Sequence, residues 1–284
     1  MESSRPSRTA HRVAIRRAAH QVLDDPKVLD DPIAVPILDP ESRANLTHEP
    51  VFMPEVAAKF MRAFMVVRSR FAEDELARAI ARGATQYVIL GAGLDTFAYR
   101  NPYPGSALHV FEVDHPATQL WKRERLAAGG IAVPPSLTFA PIDFEHCTLA
   151  EGLHDAGFEP RKITFFSWLG VIMYLTREAA ISTLQFIAST PPGGGVVFDY
   201  ALARESLNLF QKLALDRLMR RVEAAGEPFR LFFDPAELAC ELPSLGFAGV
   251  EDLGVAEINA RYFANRADGL RVGGGLGRLI SATL

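Results

Sequence analysis

The chain reads YVILGAGLDTF at residues 87–97 and FEVD at residues 111–114. The first stretch is an apolar, β-rich run that enters a glycine turn, and the second is another such run that ends in carboxylates. Two glycines let a backbone turn sharply and approach a ligand closely, while an acid that ends the second strand can accept both hydrogen bonds of a ribose diol. This spacing predicts a site for a nucleotide-shaped ligand.

The residues that follow the two glycines bear on which ligand is bound. A dinucleotide enzyme has a third glycine or alanine where this chain has Thr96, and Asp95 stands beside it. A carboxylate there would repel a pyrophosphate, whereas S-adenosylmethionine (SAM) carries no phosphate and has a cationic sulfonium and ammonium. The loop therefore favours SAM over NAD. A glycine turn without any nucleotide remains a third interpretation.

The composition is that of an ordinary globular protein. Its 284 residues suit one α/β domain with an added cap, and the net charge of −4 argues against a general nucleic-acid binder. No apolar run is long enough to cross a membrane, and the N-terminus lacks the apolar core of a secretory signal. We expect a cytoplasmic protein that acts on a small molecule, with neither nucleic acid nor membrane as partner. Cys147 and Cys240 are expected to be buried thiols. The sequence leaves the oligomeric state open.

Residues 1–78 are predicted to form an N-terminal helical cap, or lid, on a core of residues 79–284. Arg8, Arg12 and Arg16 recur every fourth residue of one putative helix, as either a solvated face or a basic cover over an anionic group. A second helix is predicted from Pro54 to Arg82.

From residue 86 onward, short β-rich runs alternate with helical stretches, which is typical of a parallel sheet with crossover helices. We predict strands at 86–90, 107–113, 137–141, 163–168, 195–200, 248–253 and 278–284. The chain between the last two looks too irregular for a packed helix, so an antiparallel ending is expected. A helical insertion near residues 201–233 is long enough to cover an active site.

Six motifs in order resemble the leucine carboxyl methyltransferase family, class I SAM-dependent O-methyltransferases that also include polyketide carboxyl methyltransferases. The motifs are Ser7-Arg8-Thr9-Ala10, VRSRF at 67–71, LGAGLDT at 90–96, FEVD at 111–114, Asp143 and Met173-Tyr174-Leu175. The resemblance covers nearly the whole chain. It implies an α/β, Rossmann-like class I fold: a mostly parallel seven-stranded sheet with an antiparallel last strand, the helical cap and the insertion after strand five.

The resemblance also implies a role for particular residues. Arg68 matches the arginine that binds the methionine carboxylate of SAM, Asp114 would accept the ribose hydroxyls, and Asp143 with Phe144 would meet adenine. Glu112 replaces Asp114 if the strand ends two residues earlier. The cofactor-binding residues predicted are Arg68, Gly91, Ala92, Gly93, Asp95, Glu112, Asp114, Asp143, Phe144 and Trp168.

One position departs from the family pattern. Family members commonly carry an acid in the fourth-strand motif where this chain has Leu169, within WLGVIMYL at 168–175. This change removes one expected contact to the ligand and puts strict methylation of a protein phosphatase in doubt.

Methyl transfer from a sulfonium is an in-line displacement, so the protein mainly has to hold an oxygen nucleophile close to the methyl carbon. A carboxylate is already ionised at neutral pH, whereas a phenol needs a base, and the sequence shows neither a dedicated base nor a metal motif. We therefore expect O-methylation of a small or polyketide-like acid. The alternatives are a phenol or hydroxyl acceptor, an NAD-dependent oxidoreductase, or a non-catalytic SAM-binding protein. Substrate-positioning candidates are Tyr174, Tyr200, Arg230, Arg261 and Tyr262.

Overall fold

The computed structural model describes residues 7–47, 55–103, 108–144, 146–224 and 226–284. Within them one sheet has the strands β1 (Gln86–Leu90), β2 (His109–Asp114), β3 (Leu137–Pro141), β4 (Thr164–Trp168), β5 (Gly195–Ala201), β6 (Gly249–Leu253) and β7 (Gly277–Thr283). The strand order is β3-β2-β1-β4-β5-β7-β6, and β7 runs antiparallel to both of its neighbours. The predicted mostly parallel, seven-stranded sheet is confirmed.

Helices cover both faces of the sheet and extend beyond it. They are α1 (Arg8–Leu23), α2 (Pro40–Ala44), α3 (Glu55–Ala81), α4 (Pro116–Ala128), α5 (Leu149–Asp155), α6 (Arg177–Ala188), α7 (Leu209–Ala224), α8 (Pro235–Ser244) and α9 (Val255–Tyr262). The predicted helix and strand bounds agree with these to within two residues; the predicted helix start, Pro54, and strand residue 107 lie outside the described residues.

Alternating side chains divide the core into two layers. Val88 and Leu90 of β1 face a cluster formed with α5, α6 and α8, whereas Tyr87 and Ile89 face a cluster formed with α3 and α9. Successive side chains of a strand point to opposite faces, so a strand buried on both faces is apolar along its whole length. This is why the β-rich runs were readable in the sequence.

The N-terminal segment docks on this core through small and branched side chains. Ala14 and Ala18 of α1 pack with Ile37 and Leu38 against Leu94 of the glycine loop. At the end of α1, the carboxylate of Asp24 accepts hydrogen bonds from Arg62 on α3 and interacts with the His20 imidazole. The cap is therefore fastened directly beside the loop that the sequence predicts to bind the ligand.

Two smaller expectations were wrong. The connection between β6 and β7 contains the packed helix α9, whose Ile258 is fully buried, so it is less irregular than predicted. Cys240 is exposed and Cys147 only partly buried, both as free thiols.

In the part of the chain that the structure describes, no helix is both long and apolar enough to span a lipid bilayer. The cytoplasmic location stays a prediction.

Candidate active site

The glycine turn after β1 has a backbone that requires glycine at two positions. Gly91 has a φ of +68° and Gly93 a φ of +48°, in the left-handed region that L side chains rarely adopt. A Cβ atom on Gly91 would lie 2.3 Å from Cγ2 of Val171 in the loop after β4, and one on Gly93 would lie 3.0 Å from Cβ of Ala10 on α1. The turn is therefore enclosed by the loop after β4 and by the N-terminal helix.

Gly91→Ala should destabilise the protein more than Gly130→Ala does. Gly130 has a similar φ of +65° but open space around it, so both variants bear a left-handed penalty of about 1–2 kcal/mol. Only Gly91→Ala also forces a contact with Val171, and such overpacking typically costs about 1–3 kcal/mol. Urea denaturation of both variants measures the difference. Equal losses of unfolding free energy would contradict the prediction, because they would show that the loop after β4 moves away from the added methyl group without an energetic cost.

Asp114 is the last residue of β2. It lies, together with the glycine turn after β1, at the carboxyl edge of the sheet, where the parallel strands end. Its Oδ2 accepts a hydrogen bond from the Gly93 N–H at 2.6 Å, and its Oδ1 accepts one from the His115 N–H at 2.7 Å. Burial raises the pKa of the Asp114 carboxyl, and the two backbone donors oppose this rise. The acid is thus held directly against the glycine turn, and its role as the ribose acceptor stays a prediction.

Glu112 occupies a different environment, although it is only two residues away on the same face of β2. It is fully buried, its Oε2 lies 2.7 Å from Nζ of Lys122 on α4, and the Tyr99 hydroxyl donates to it at 3.4 Å. Because β2 continues to Asp114 and encloses Glu112 in an internal ion pair, the structure favours Asp114 over Glu112 as the acid that faces a ligand.

The buried Glu112 makes a pH-dependent contribution to stability. Burial raises the pKa of Glu112 from 4.5 to about 7, although Lys122 lowers it in part. Between these two pH values the folded protein binds more protons than the unfolded chain, so stability falls as pH rises. Relative to Glu112→Gln, the wild type should lose unfolding free energy from about pH 4.5 to about pH 7 and then level off. Urea denaturation of both proteins across this range tests the prediction; a constant difference would contradict it.

Arg68 lies on α3 at the carboxyl edge of the sheet and is 6% exposed. Its Nη1 donates to Oδ2 of Asp199 on β5 at 3.1 Å, and Oδ1 of Asp199 accepts the Gly170 N–H at 2.5 Å. Asp199 was not among the residues predicted from the sequence. Its one signal was a lone acid within the apolar strand GVVFDYA.

Asp95 faces the cap. Its Oδ1 accepts the N–H of Phe97, and its Oδ2 lies 3.4 Å from Nη1 of Arg17 on α1. The neighbouring Thr96 hydroxyl accepts a hydrogen bond from Arg17 and donates one to Asp31 at 2.7 Å. The residues at the mouth of the glycine loop are therefore satisfied mainly from the N-terminal segment.

These contacts belong to a buried network of charges. Arg17, 4% exposed, donates to the fully buried Asp31 at 2.5 Å. Arg100 lies 3.3 Å from the other oxygen of Asp31 and also pairs with Glu73 on α3. Arg17 lies outside the predicted arginine row, whose members Arg8 and Arg12 are exposed. The exposed positions support a solvated face for that row.

Asp143 follows β3 at the predicted adenine end. Its Oδ2 lies 3.1 Å from Nδ1 of His146 and 3.9 Å from Nε2 of His115, so both histidines that follow the strand ends meet this acid. Phe144 is 59% exposed. Trp168, in contrast, is packed in the core with its ring 6.3 Å from that of Phe198, and its contact with the cofactor stays a prediction.

Three segments meet above this edge on the expected acceptor side. Both the Ser7 and Thr9 hydroxyls, at the start of α1, donate to the carboxylate of Glu227, which follows α7. Tyr174, in the loop after β4, packs its ring 5.2 Å from that of Phe229. Its hydroxyl interacts with Thr9 and experiences the charges of Glu227, Arg68 and Asp199. The cap, the loop after β4 and the insertion after β5 thus form one enclosure.

Other residues predicted to position the substrate have partners within the protein or are exposed. The Tyr200 hydroxyl donates to Asp252 on β6 at 2.7 Å, and the rest of its side chain is buried. Arg261 pairs with Glu251, and the Tyr262 hydroxyl donates to Asp74. Asp74 lies on α3 six residues after Arg68, which places it about 9 Å further along the helix. Each of these three residues therefore has a partner within the protein, and a role in positioning the substrate stays a prediction for them. Arg230 is near this edge through its backbone N–H, which donates to the Met173 carbonyl, but its side chain is exposed.

The arrangement of charges at the carboxyl edge fits SAM. A buried guanidinium, Arg68, can bind a carboxylate; the acid Asp114 is held at a glycine turn; and a second acid, Asp143, follows the next strand. The cation at the turn, Arg17, is paired with Asp95 and Asp31, an arrangement that suits a ligand without phosphates.

Comparison with known proteins assigns the family. The model for leucine carboxyl methyltransferase matches residues 10–188. YktD of Bacillus subtilis (strain 168), named as a SAM-dependent methyltransferase, is 35% identical over 291 residues that cover 95% of each chain. Two solved structures have a similar fold: a DUF574-family protein from Streptomyces avermitilis (TM-score 0.56, 17% identity, 99% of this chain and 98% of that chain) and a protein described as a methyltransferase from Thermobifida fusca (TM-score 0.56, 15% identity, 99% and 96%). Since the family model covers more than half of the sequence and the Bacillus relative nearly all of it, the chain belongs to the leucine carboxyl methyltransferase family.

Proposed function

We propose that this protein transfers the methyl group of SAM to an oxygen atom of a small molecule, and that the acceptor oxygen belongs to a carboxylate. Methyl transfer and the cofactor follow from the family and from the relative named as SAM-dependent. The acceptor atom and the size of the acceptor rest on the chemistry of the enclosure described above.

The proposed cofactor residues divide the ligand among them. Arg68 donates to its carboxylate, Gly91 and Gly93 let the backbone approach its methionine portion, Asp114 accepts from its ribose, and Asp143 lies towards its adenine. When bound, SAM supplies the methyl group and a thioether leaving group. The protein contributes orientation and exclusion of water, which are the main requirements of an in-line displacement.

The observation that supports a carboxylate acceptor is the state of Tyr174. Burial raises the pKa of Tyr174, so its hydroxyl stays protonated and can donate a hydrogen bond. A protonated phenol can orient an anionic oxygen but cannot remove a proton from an acceptor. A carboxylate needs no proton removed at neutral pH.

The hydrogen bonds from Ser7 and Thr9 to Glu227 support a small acceptor. They join the cap to the insertion after β5 across the carboxyl edge. A folded protein could not bring an interior carboxylate past this connection without displacing both segments, whereas a small acid could enter beside it.

Glu227 also supports a second candidate, a hydroxyl or phenol acceptor. Its carboxylate lies within the charge environment of Tyr174 and is held by two hydroxyl donors. A carboxylate in this position could serve as a general base, which would typically contribute about 10²–10⁴-fold to the rate.

A single pair of variants separates the two candidates. With a panel of small carboxylic acids and phenols, we expect methyl esters to form, and Glu227→Gln to retain activity within a few-fold. Glu223→Gln, an exposed acid on α7, is the matched control. Methyl ethers that form only with the wild type and the control would establish the hydroxyl candidate with Glu227 as base. If no acid or phenol of the panel leads to the production of S-adenosylhomocysteine, both candidates are contradicted.

A further inference from the structure

Asp199 is a buried acid with no role in the function proposed above. It is 2% exposed and lies near the end of β5, where one oxygen accepts from Arg68 and the other from the Gly170 backbone. Gly170 has a φ of +73°, and a Cβ atom there would lie 2.7 Å from Nη1 of Arg68. A carboxylate offers about four acceptor positions, so two of those on Asp199 remain for a further donor.

The register of the sheet relates Asp199 to the unusual Leu169. Trp168 of β4 pairs with Phe198 of β5, so the next positions at the strand exits are 169 and 199. Leu169 packs on the core layer that contains Val197, and Asp199 points to that same face because it lies two residues further along β5. The chain therefore has an acid one strand away from the position where the family commonly has one.

We infer that Asp199 accepts a hydrogen bond from the ammonium group of the methionine portion of SAM, beside the SAM carboxylate that Arg68 binds. This inference rests on the proposed cofactor site and extends it. An ammonium ion in a buried site requires an anionic partner. Asp199 is the buried acid that already contacts Arg68, so the two side chains present one negative and one positive group to a ligand that carries the opposite pair.

The pairing of Arg68 with Asp199 also keeps both groups satisfied before the ligand arrives. Leaving either charge buried and unpaired would be strongly destabilising. A zwitterion that inserts between them replaces one ion pair by two and adds no net charge. The Gly170 N–H holds the second oxygen of Asp199 throughout, which fixes the orientation of the carboxylate.

Three ligands without the sulfonium test this inference by calorimetric titration. S-Adenosylhomocysteine carries the ammonium and the carboxylate, its decarboxylated form carries the ammonium alone, and 5′-methylthioadenosine carries neither. Asp199→Asn should weaken binding of the first two ligands by about 10- to 150-fold, the range for losing a charged hydrogen-bond partner, and leave the third within twofold. Arg68→Gln should weaken only S-adenosylhomocysteine to this extent. Asp252→Asn is the control, because it removes a carboxylate from the neighbouring part of the sheet, on β6. It should not change the affinity for any of the three ligands.

Each outcome decides the matter. If Asp199→Asn weakens S-adenosylhomocysteine but not its decarboxylated form, Asp199 only orients Arg68 and the inference is overturned. The wild type alone gives a second test that does not depend on a folded variant: the decarboxylated ligand must bind at least about tenfold more tightly than 5′-methylthioadenosine, and equal affinities would overturn the inference. A wild type that binds none of the three ligands would instead refute the proposed cofactor site.

Discussion

Arg17→Ala is expected to lower the free energy of unfolding by about 3–5 kcal/mol, the usual cost of removing one partner from a buried ion pair. The variant leaves the fully buried Asp31 with Arg100 at 3.3 Å as its remaining cation. It also removes the hydrogen bond from Arg17 to Thr96 in the glycine loop. Because these contacts join α1 to that loop, a loss of affinity for S-adenosylhomocysteine should accompany the loss of stability.

Arg12→Ala provides the matched control for this experiment. Arg12 lies on the same helix but is exposed, so its removal should change the free energy of unfolding by less than about 0.5 kcal/mol. Urea denaturation measures both variants. Similar effects of the two substitutions would mean that the buried network contributes no more than a solvated arginine.

Asp114→Ala is expected to weaken binding of S-adenosylhomocysteine by about 10- to 150-fold, which corresponds to roughly 1.5–3 kcal/mol for a charged hydrogen-bond partner. The acid is held at the glycine turn by the Gly93 and His115 N–H groups, where it can accept from a ribose. The same loss should appear with 5′-methylthioadenosine, because this ligand keeps the ribose and lacks the amino-acid portion.

The control for Asp114 is its neighbour on the same strand face. Glu112→Gln removes a carboxylate two residues away that is paired with Lys122 inside the protein, so ligand affinity should stay within about threefold. Calorimetric titration of both variants with both ligands decides the assignment. If the Glu112 variant loses as much affinity as the Asp114 variant, β2 does not present the ribose acid as proposed.

The central strands β1, β4 and β5 were predictable because their burial on both faces leaves a nearly continuous apolar signal. The positions of Gly91 and Gly93 were predictable for a related reason, since only glycine readily adopts their positive φ angles. The spacing from this turn to the acids after β2 was equally readable. What the pattern could not decide was which of two acids faces a ligand. Both lie on one face of the strand, and the choice depends on a lysine of α4.

Residues predicted from their chemistry alone have partners in the structure that the sequence could not indicate. Tyr200 and Tyr262 have hydroxyl groups that suit a substrate, yet each donates to an acid on a distant segment, Asp252 or Asp74. The buried Arg17 and Asp199 were missed for the converse reason. Their neighbours in sequence give no sign of the partners that they acquire when the N-terminal segment and the fifth strand come together.

The position of β7 between β5 and β6 has a consequence for the order of folding during synthesis. Gly195 of β5 pairs with Thr283 of β7, and Gly249 of β6 pairs with that same residue. Until residues 277–283 have left the ribosome, β6 lacks the strand that joins it to the sheet. The edge of β5 that pairs with β7 is then unpaired and open to other chains in the cell. Such an edge invites aggregation, and pairing over long sequence separations is slow to form. We therefore expect deletion of residues 277–283 to yield an insoluble product.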